Sequence, residues 1–456
     1  MNVRFYPFTL LLALGLPCAA EVTIMATSKP GREWHERPTT LLSDQSPLSE
    51  DEGMDPYGGM PSKLTRATGY FHTQKIGSRW WLVTPDGGLF ISRGINTVTP
   101  VDTKDGQDAL RAKFGSTGEW AKQTMELLKQ NGFNSLGGWA DTGTIASGKV
   151  RLPQTVIWSF MSSYGKQRGG TRQEPGHTGY PSDCPFIFDP GFQPFCENYA
   201  KQLDAFKDDP WIIGHFSDNE MPWSLKLLEN YLSLPADDPG HVAAAAWLKS
   251  RPGQSEKQPR IVDADRADFL RFAMERYLAI TATAFRKHAP HHLFLGPRLH
   301  GSVTRIPEAF AALGSQVDVI SINYYGAWSP EGALLEMWNR ESGKPVLISE
   351  FYAKAENSGL PNTGGAGWLV KTQQDRGAFY QNFTLGLIKS RVCVGWHWHR
   401  YADNDPADKK LDPSNRDSNK GIVSNRYEPF PELLDLMGAV NRRVYGLADR
   451  FDSARP

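Results

Sequence analysis

The chain has 456 residues, room for one large domain with insertions or for two to three ordinary ones. At 40% hydrophobic and 22% charged, its composition excludes a disordered or fibrous chain. Fifty basic residues balance fifty acidic ones, with no run of five or six like charges. That excludes a nucleic-acid footprint and fits a neutral ligand.

Arg4 precedes an apolar run from Phe5 to Pro17, followed by Cys18, Ala19, Ala20 and Glu21. This is the pattern of a secretory signal peptide over residues 1–20, cleaved after Ala20. The run is too short to span a bilayer, and Pro17 stands where a lipidated Cys18 would need a small residue. The sequence predicts an exported protein, periplasmic or secreted, with no membrane insertion. Residues 21–64, rich in Pro, Gly, Ser and charge, read as an N-terminal extension, an extended arm or poorly ordered leader. Export favours a disulfide between Cys184 and Cys196. Cys393 lies in an apolar run and reads as core.

A catalytic domain is predicted over 65–450. Apolar runs at 88–98, 135–139, 155–160, 212–216, 293–295, 317–324, 345–349 and 392–397 read as strands. Apolar residues at helical spacing over 119–130, 193–206, 266–288 and 375–389 read as helices. Segments 161–185 and 234–260 read as loop insertions, the latter with a short Ala-rich helix at 242–249. A hairpin at Trp80 to Phe90 leads into the first strand. Eight strand–helix units predict an α/β fold, a (β/α)8 TIM barrel with long loop insertions and a short N-terminal extension. No G-x-G-x-x-G follows the first strand, which disfavours a doubly wound sheet.

In such a barrel the chemistry stands at the C-terminal ends of the strands. The fourth run ends Ser217-Asp218-Asn219-Glu220 and the seventh ends Ile348-Ser349-Glu350-Phe351. Two carboxylates reaching one rim from opposite parts of the ring can flank a glycosidic bond, one as proton donor and one ionised. The second run supplies Trp139, the fifth Arg298, the sixth Asn323 and Tyr324, and the eighth Trp396, His397 and Trp398. Tryptophan faces suit the C–H face of a pyranose, and a tyrosine hydroxyl can hold a carboxylate ionised. A lone Glu after a strand is more often a surface residue, and Trp396 and Trp398 have an equally good reading as core. His397 and His399 form an H-x-H that could bind metal, but no third ligand is evident. No metal and no cofactor are predicted.

These motifs resemble the large clan A of retaining (β/α)8 glycoside hydrolases. Within it the chain is most similar to the family 50 β-agarases, through Gly77 to Asn96, Phe216 to Glu220, Ile348 to Phe351 and Gly395 to Asp403. The resemblance implies that Glu220 is the acid/base and Glu350 the nucleophile. It also implies that Asn219 binds the sugar 2-hydroxyl, that Tyr324 orients Glu350, and that Trp396 or Trp398 floors the central subsite. Those agarases usually carry an N-terminal carbohydrate-binding sandwich, for which residues 21–64 are too few. Agarose, another β-linked galactan, a glucan and an exopolysaccharide therefore stay open as the poly- or oligosaccharide substrate. Transglycosylation is a close variant. A non-catalytic polysaccharide-binding protein and a metal-dependent hydrolase are the readings from other classes. Oligomeric state is not readable.

Overall fold

The structure, a computed structural model, describes residues 22–45, 47–146, 148, 150–252, 260–408, 411, 412, 414 and 416–453. The expected signal peptide lies outside the described residues.

Eight parallel strands close into a barrel in chain order: β1 (Ser92–Ile95), β2 (Ser135–Leu136), β3 (Gln154–Ile157), β4 (Ile212–Asn219), β5 (Leu293–Leu299), β6 (Ile320–Asn323), β7 (Val346–Phe351) and β8 (Cys393–Trp398). β8 returns to β1, with Gly395 opposite Ser92 and Trp398 opposite Ile95. All eight fall within or across the predicted runs, so the (β/α)8 expectation holds. Strands covered on both faces read as continuous apolar runs. For that reason they were visible as strands, although which face each side chain takes was not.

The lower interior is filled by Ile213, Phe216, Leu293, Leu295, Val319, Leu347 and Val394. Phe71, Leu82 and Phe90 join this cluster from the small antiparallel sheet of His72–Ile76, Arg79–Val83 and Leu89–Phe90. The predicted hairpin is thus a plug in the N-terminal end of the barrel. Outside, helix Thr117–Gln130 is capped by Ser116 and buries Trp120, Ala121, Thr124, Met125 and Leu128, one helical face. Helix Gln373–Lys389 is buried nearly all round, because helix Pro431–Asn441 covers its outer side. Gly377 permits that approach: a β-carbon there would stand 2.7 Å from Leu436 Cβ.

Three local expectations change. The arm is ordered: Thr23–Thr27 and His35–Pro38 join Ala353–Ala355 and Trp368–Val370 in a four-stranded sheet. The partners that satisfy these short strands follow β7, hundreds of residues away, so no local pattern announces them. The insert 161–185 contains helix Phe160–Arg168 and a hairpin, Arg172–Glu174 with His177–Gly179. Cys184 and Cys196 form no disulfide; both are buried free thiols. Cys184 follows a 3-10 turn with its thiol at the Ser182 carbonyl, while Cys196 lies on the buried face of helix Phe192–Tyr199. Among the described residues no helix is long and apolar enough to cross a membrane.

Candidate active site

β4 ends in Asn219, and the next residue, Glu220, adopts a left-handed backbone with φ 46°. Such a conformation is costly for a residue with a side chain and persists only where surroundings impose it. Here the Glu220 N–H donates to the Arg298 carbonyl of β5 at 3.0 Å, which turns the carboxyl over the barrel mouth. Glu350 sits within β7, where pairing is irregular between Ile348 and Phe351. That irregularity lets Ser349 reach inward and Glu350 reach the mouth, while Phe351 stacks on Phe383 outside. Both carboxyls line one open cavity of about 970 Å³.

The two are held by one interlocked set of donors. Arg298 Nη2 stands 2.8 Å from Glu350 Oε1 and also donates to the Ser349 carbonyl at 2.8 Å. Arg298 Nη1 and Asn323 Nδ2 each donate to Asn219 Oδ1 at 3.1 Å. Asn323 Nδ2 donates to Glu220 Oε1 at 2.7 Å, and its own Oδ1 accepts from Ser349 Oγ at 2.8 Å. Neighbours on β4, β5, β6 and β7 therefore fix both carboxyls and the amide between them. Such cross-strand satisfaction makes a buried polar cluster rigid.

This setting splits the proton affinities of the pair. Burial raises the Glu220 pKa, and the negative charge of Glu350 raises it further. Burial also acts against ionised Glu350, but His399, Arg298, the Tyr325 hydroxyl and Lys420 outweigh it and hold the carboxyl below its ordinary range. Burial pushes His399 itself down to about 3, so at neutral pH the permanent cation against Glu350 is Arg298. Glu220 is the group that keeps a proton and Glu350 the one that gives it up.

Of the other predicted residues, Asn219, Asn323 and Arg298 belong to this network. Trp139 lines the cavity, 37% exposed, with the Arg298 guanidinium 4.4 Å from its ring centroid. Tyr324 meets Glu350 through the backbone, its N–H donating to the Glu350 carbonyl at 2.8 Å, but its side chain does not reach the carboxyl. Its hydroxyl accepts the Glu331 N–H at 3.0 Å, against helix Gly332–Ser342. The donor to Glu350 is Tyr325, whose hydroxyl stands 2.5 Å from Oε2. Asn323 faces inward, so the side chain two residues on faces inward and the one between faces the helices.

The same alternation removes Trp396 and Trp398 from the cavity. Their indole N–H groups donate to the Tyr380 hydroxyl at 2.7 Å and the Lys420 carbonyl at 2.8 Å, both in fully buried surroundings. His397 faces inward but lies below the mouth, 2.9 Å from Ser92 Oγ, and burial pushes it down to about 3. His399 is the position on this face that reaches the cavity, 3.8 Å from Glu350. Among the described residues no cluster of His, Cys, Asp or Glu could hold a metal ion.

Sequence reading also missed Gly176, Tyr325, Arg400 and Lys420, and it considered His399 only as a metal ligand, not as a neighbour of Glu350. Period-two alternation from Asn323 and His397 carried a signal for two of them. Gly176 and Lys420 arrive on loops and carried none.

A closed (β/α)8 barrel that gathers two glutamates of opposed proton affinity at the ends of strands four and seven has the architecture of a barrel glycoside hydrolase. No family model matches the chain. Its homologues are β-agarases, and the resemblance to family 50 is borne out. β-Agarase B of Vibrio sp. (strain JT0107) is 25% identical over 508 residues, covering 88% of this chain and 51% of that protein. The chain thus spans about half the length of the curated relatives it matches. The crystal structure of BpGH50 superposes with a TM-score of 0.83 at 27% identity, covering 96% of this chain and 98% of that one. The agarase AgWH50C shares the fold at 22% identity and a TM-score of 0.70, covering 88% and 67%.

Proposed function

We propose that this protein is an agarase-like glycosidase that cleaves β-linked bonds in a poly- or oligosaccharide with net retention. The observation that carries the reading is the pair of carboxyls with opposed proton affinities in one cavity, Glu350 buried and Glu220 partly buried. Glu350 attacks the anomeric carbon as Glu220 passes its proton to the departing glycosidic oxygen, leaving a glycosyl ester on Glu350. Glu220, now ionised, takes a proton from water. The oxygen of that water displaces Glu350 from the anomeric carbon, and both groups return to their starting states. A sugar hydroxyl in place of water gives transglycosylation. Arg298 and Tyr325 hold Glu350 ionised, and in this reading Asn219 binds the sugar 2-hydroxyl. The N-terminal pattern of the sequence supports export to the periplasm or medium, which N-terminal sequencing of the mature protein checks.

The test is incubation of the purified mature protein with agarose, β-galactan and β-glucan oligosaccharides, reading products by mass spectrometry and anomeric configuration by NMR. Retention, lost in both Glu220→Gln and Glu350→Gln, is the expected result. Inversion, or cleavage that survives both substitutions, would overturn the mechanism. Inertness toward every substrate would favour a binding protein.

A further inference from the structure

The two oxygens of Glu220 have different neighbours. Oε1 accepts from Asn323 Nδ2 at 2.7 Å. The better acceptor of a protonated carboxyl is its carbonyl oxygen, so this bond places the proton that Glu220 retains on Oε2. Oε2 is then the oxygen that must meet the departing glycosidic oxygen, within about 2.6–3.2 Å. It faces the tip of the hairpin formed by Arg172–Glu174 and His177–Gly179: a β-carbon on Gly176 would stand 3.4 Å from it. The carboxyl thus divides its oxygens between β6, toward Glu350, and the hairpin that follows β3, on the other side of β4 in the ring.

The hairpin tip is pinned in that place from two directions. The Gly176 N–H donates to Asp412 Oδ2 at 2.7 Å, and the Gly176 carbonyl accepts from Asn219 Nδ2 at 3.4 Å. Gly176 takes φ 86°, in the left-handed region that favours glycine, and it lines the cavity with Pro175 and His177. A side chain at 176 would strain the turn and fill the space beside Oε2. His177 Nδ1 lies 3.2 Å from the Pro175 carbonyl. A carbonyl only accepts, so Nδ1 carries the hydrogen and Nε2 is left to accept from a sugar hydroxyl. The side chains around Glu350 come from elsewhere in the ring: Arg298 from β5, Tyr325 after β6 and His399 after β8.

A glycosidic oxygen joins the sugar that is attacked to the sugar that departs, and the proton donor stands on the departing side. With the attacked sugar over Glu350 and Oε2 turned to the hairpin, the departing sugar comes to lie against the hairpin tip. From this arrangement we infer that Pro175, Gly176 and His177 wall the leaving-group subsite. Gly176 keeps the approach to Glu220 Oε2 open, and His177 holds the departing sugar through Nε2. An acceptor sugar in transglycosylation occupies the same place. The inference rests on the glycosidase reading and adds to it the side of the cavity on which the leaving sugar is bound.

The test compares two donors on wild type, Gly176→Ala and His177→Ala. One is whichever agarose, β-galactan or β-glucan oligosaccharide the wild type cleaves. The other is the β-fluoride of the glycosyl fragment transferred to Glu350 in that cleavage. On the fluoride, Glu350 forms the same ester as the C–F bond breaks and fluoride ion leaves, so no departing sugar is needed. Each substitution should lower kcat/KM on the oligosaccharide about tenfold more than on the fluoride, the scale of one or two lost contacts. His177→Gln, which keeps an acceptor, should recover part of the loss. Gly176→Ala strains a left-handed turn, whereas His177→Ala leaves the backbone alone and carries the test where the first does not fold. Equal losses on the two donors, or no loss on either, overturn the subsite and leave the glycosidase reading in place. A wild type that cleaves no oligosaccharide sinks the glycosidase reading and the subsite with it.

Discussion

The Tyr325 hydroxyl donates to Glu350 Oε2 across 2.5 Å, while the hydroxyl of the adjacent Tyr324 points to the other side of β6 and accepts the Glu331 N–H. Hydrogen bonds to charged groups contribute about 1.5–3 kcal/mol. Tyr325→Phe should therefore lower kcat/KM by about 10- to 100-fold. Tyr324→Phe should cost about 1 kcal/mol of stability and leave the rate near that of wild type. Steady-state kinetics and melting of both variants check this, and equal kinetic loss in the two would contradict the geometry.

The pH profile follows from the split pair. Activity needs Glu350 ionised and Glu220 protonated, so kcat/KM should be bell-shaped. Its rising limb should lie below the ordinary carboxylate range and its falling limb above it. Arg298→Lys replaces a forked donor with a single ammonium. It should weaken the hold on Glu350, move the rising limb to higher pH and lower the maximum rate. A rising limb that stays in place would show that Arg298 does not govern Glu350.

Asp218 offers a stability test. Buried at the end of β4, it accepts the Met161 N–H at 3.1 and 2.9 Å, the Ser162 N–H at 3.2 Å and the Tyr277 hydroxyl at 2.7 Å. Burial outweighs these donors and pushes it up to about 7. An unfolded Asp titrates at about 3.9. Between the two values the folded chain holds a proton that the unfolded chain has lost, so stability falls as pH rises through that window. Urea midpoints at pH 5 and pH 8 should differ less in Asp218→Asn than in wild type. An undiminished difference would mean that Asp218 is ionised in the fold.

The thiols make a further check. Burial pushes Cys184 and Cys393 up to about 12, and Cys196 is raised for the same reason. All three should resist thiol reagents in the native protein and react after unfolding. Dithiothreitol should leave Tm unchanged. A drop of several degrees on reduction would reveal a bond between Cys184 and Cys196 that the structure does not contain.

The sequence by itself determined the barrel and placed the pair of glutamates. Parallel strands buried on both faces are written as local apolar runs, and a residue at the end of such a run must stand at the mouth, as Asn219, Glu220 and Glu350 do. What it did not determine was the direction of individual side chains and the arrival of distant segments. Trp396 and Trp398 carry sugar-binding chemistry but face the helices, because β8 alternates and assigns the inner face to His397 and His399. Tyr324 and Tyr325 have the same chemistry and opposite directions. The arm at 22–64 finds its partner strands beyond β7. Gly176 and Lys420 come to the glutamates on loops whose paths depend on the whole fold. Local pattern fixes what is periodic along the chain. The inner or outer phase of a strand and the landing place of a loop are set by packing between segments far apart in sequence, and only the tertiary structure decides them.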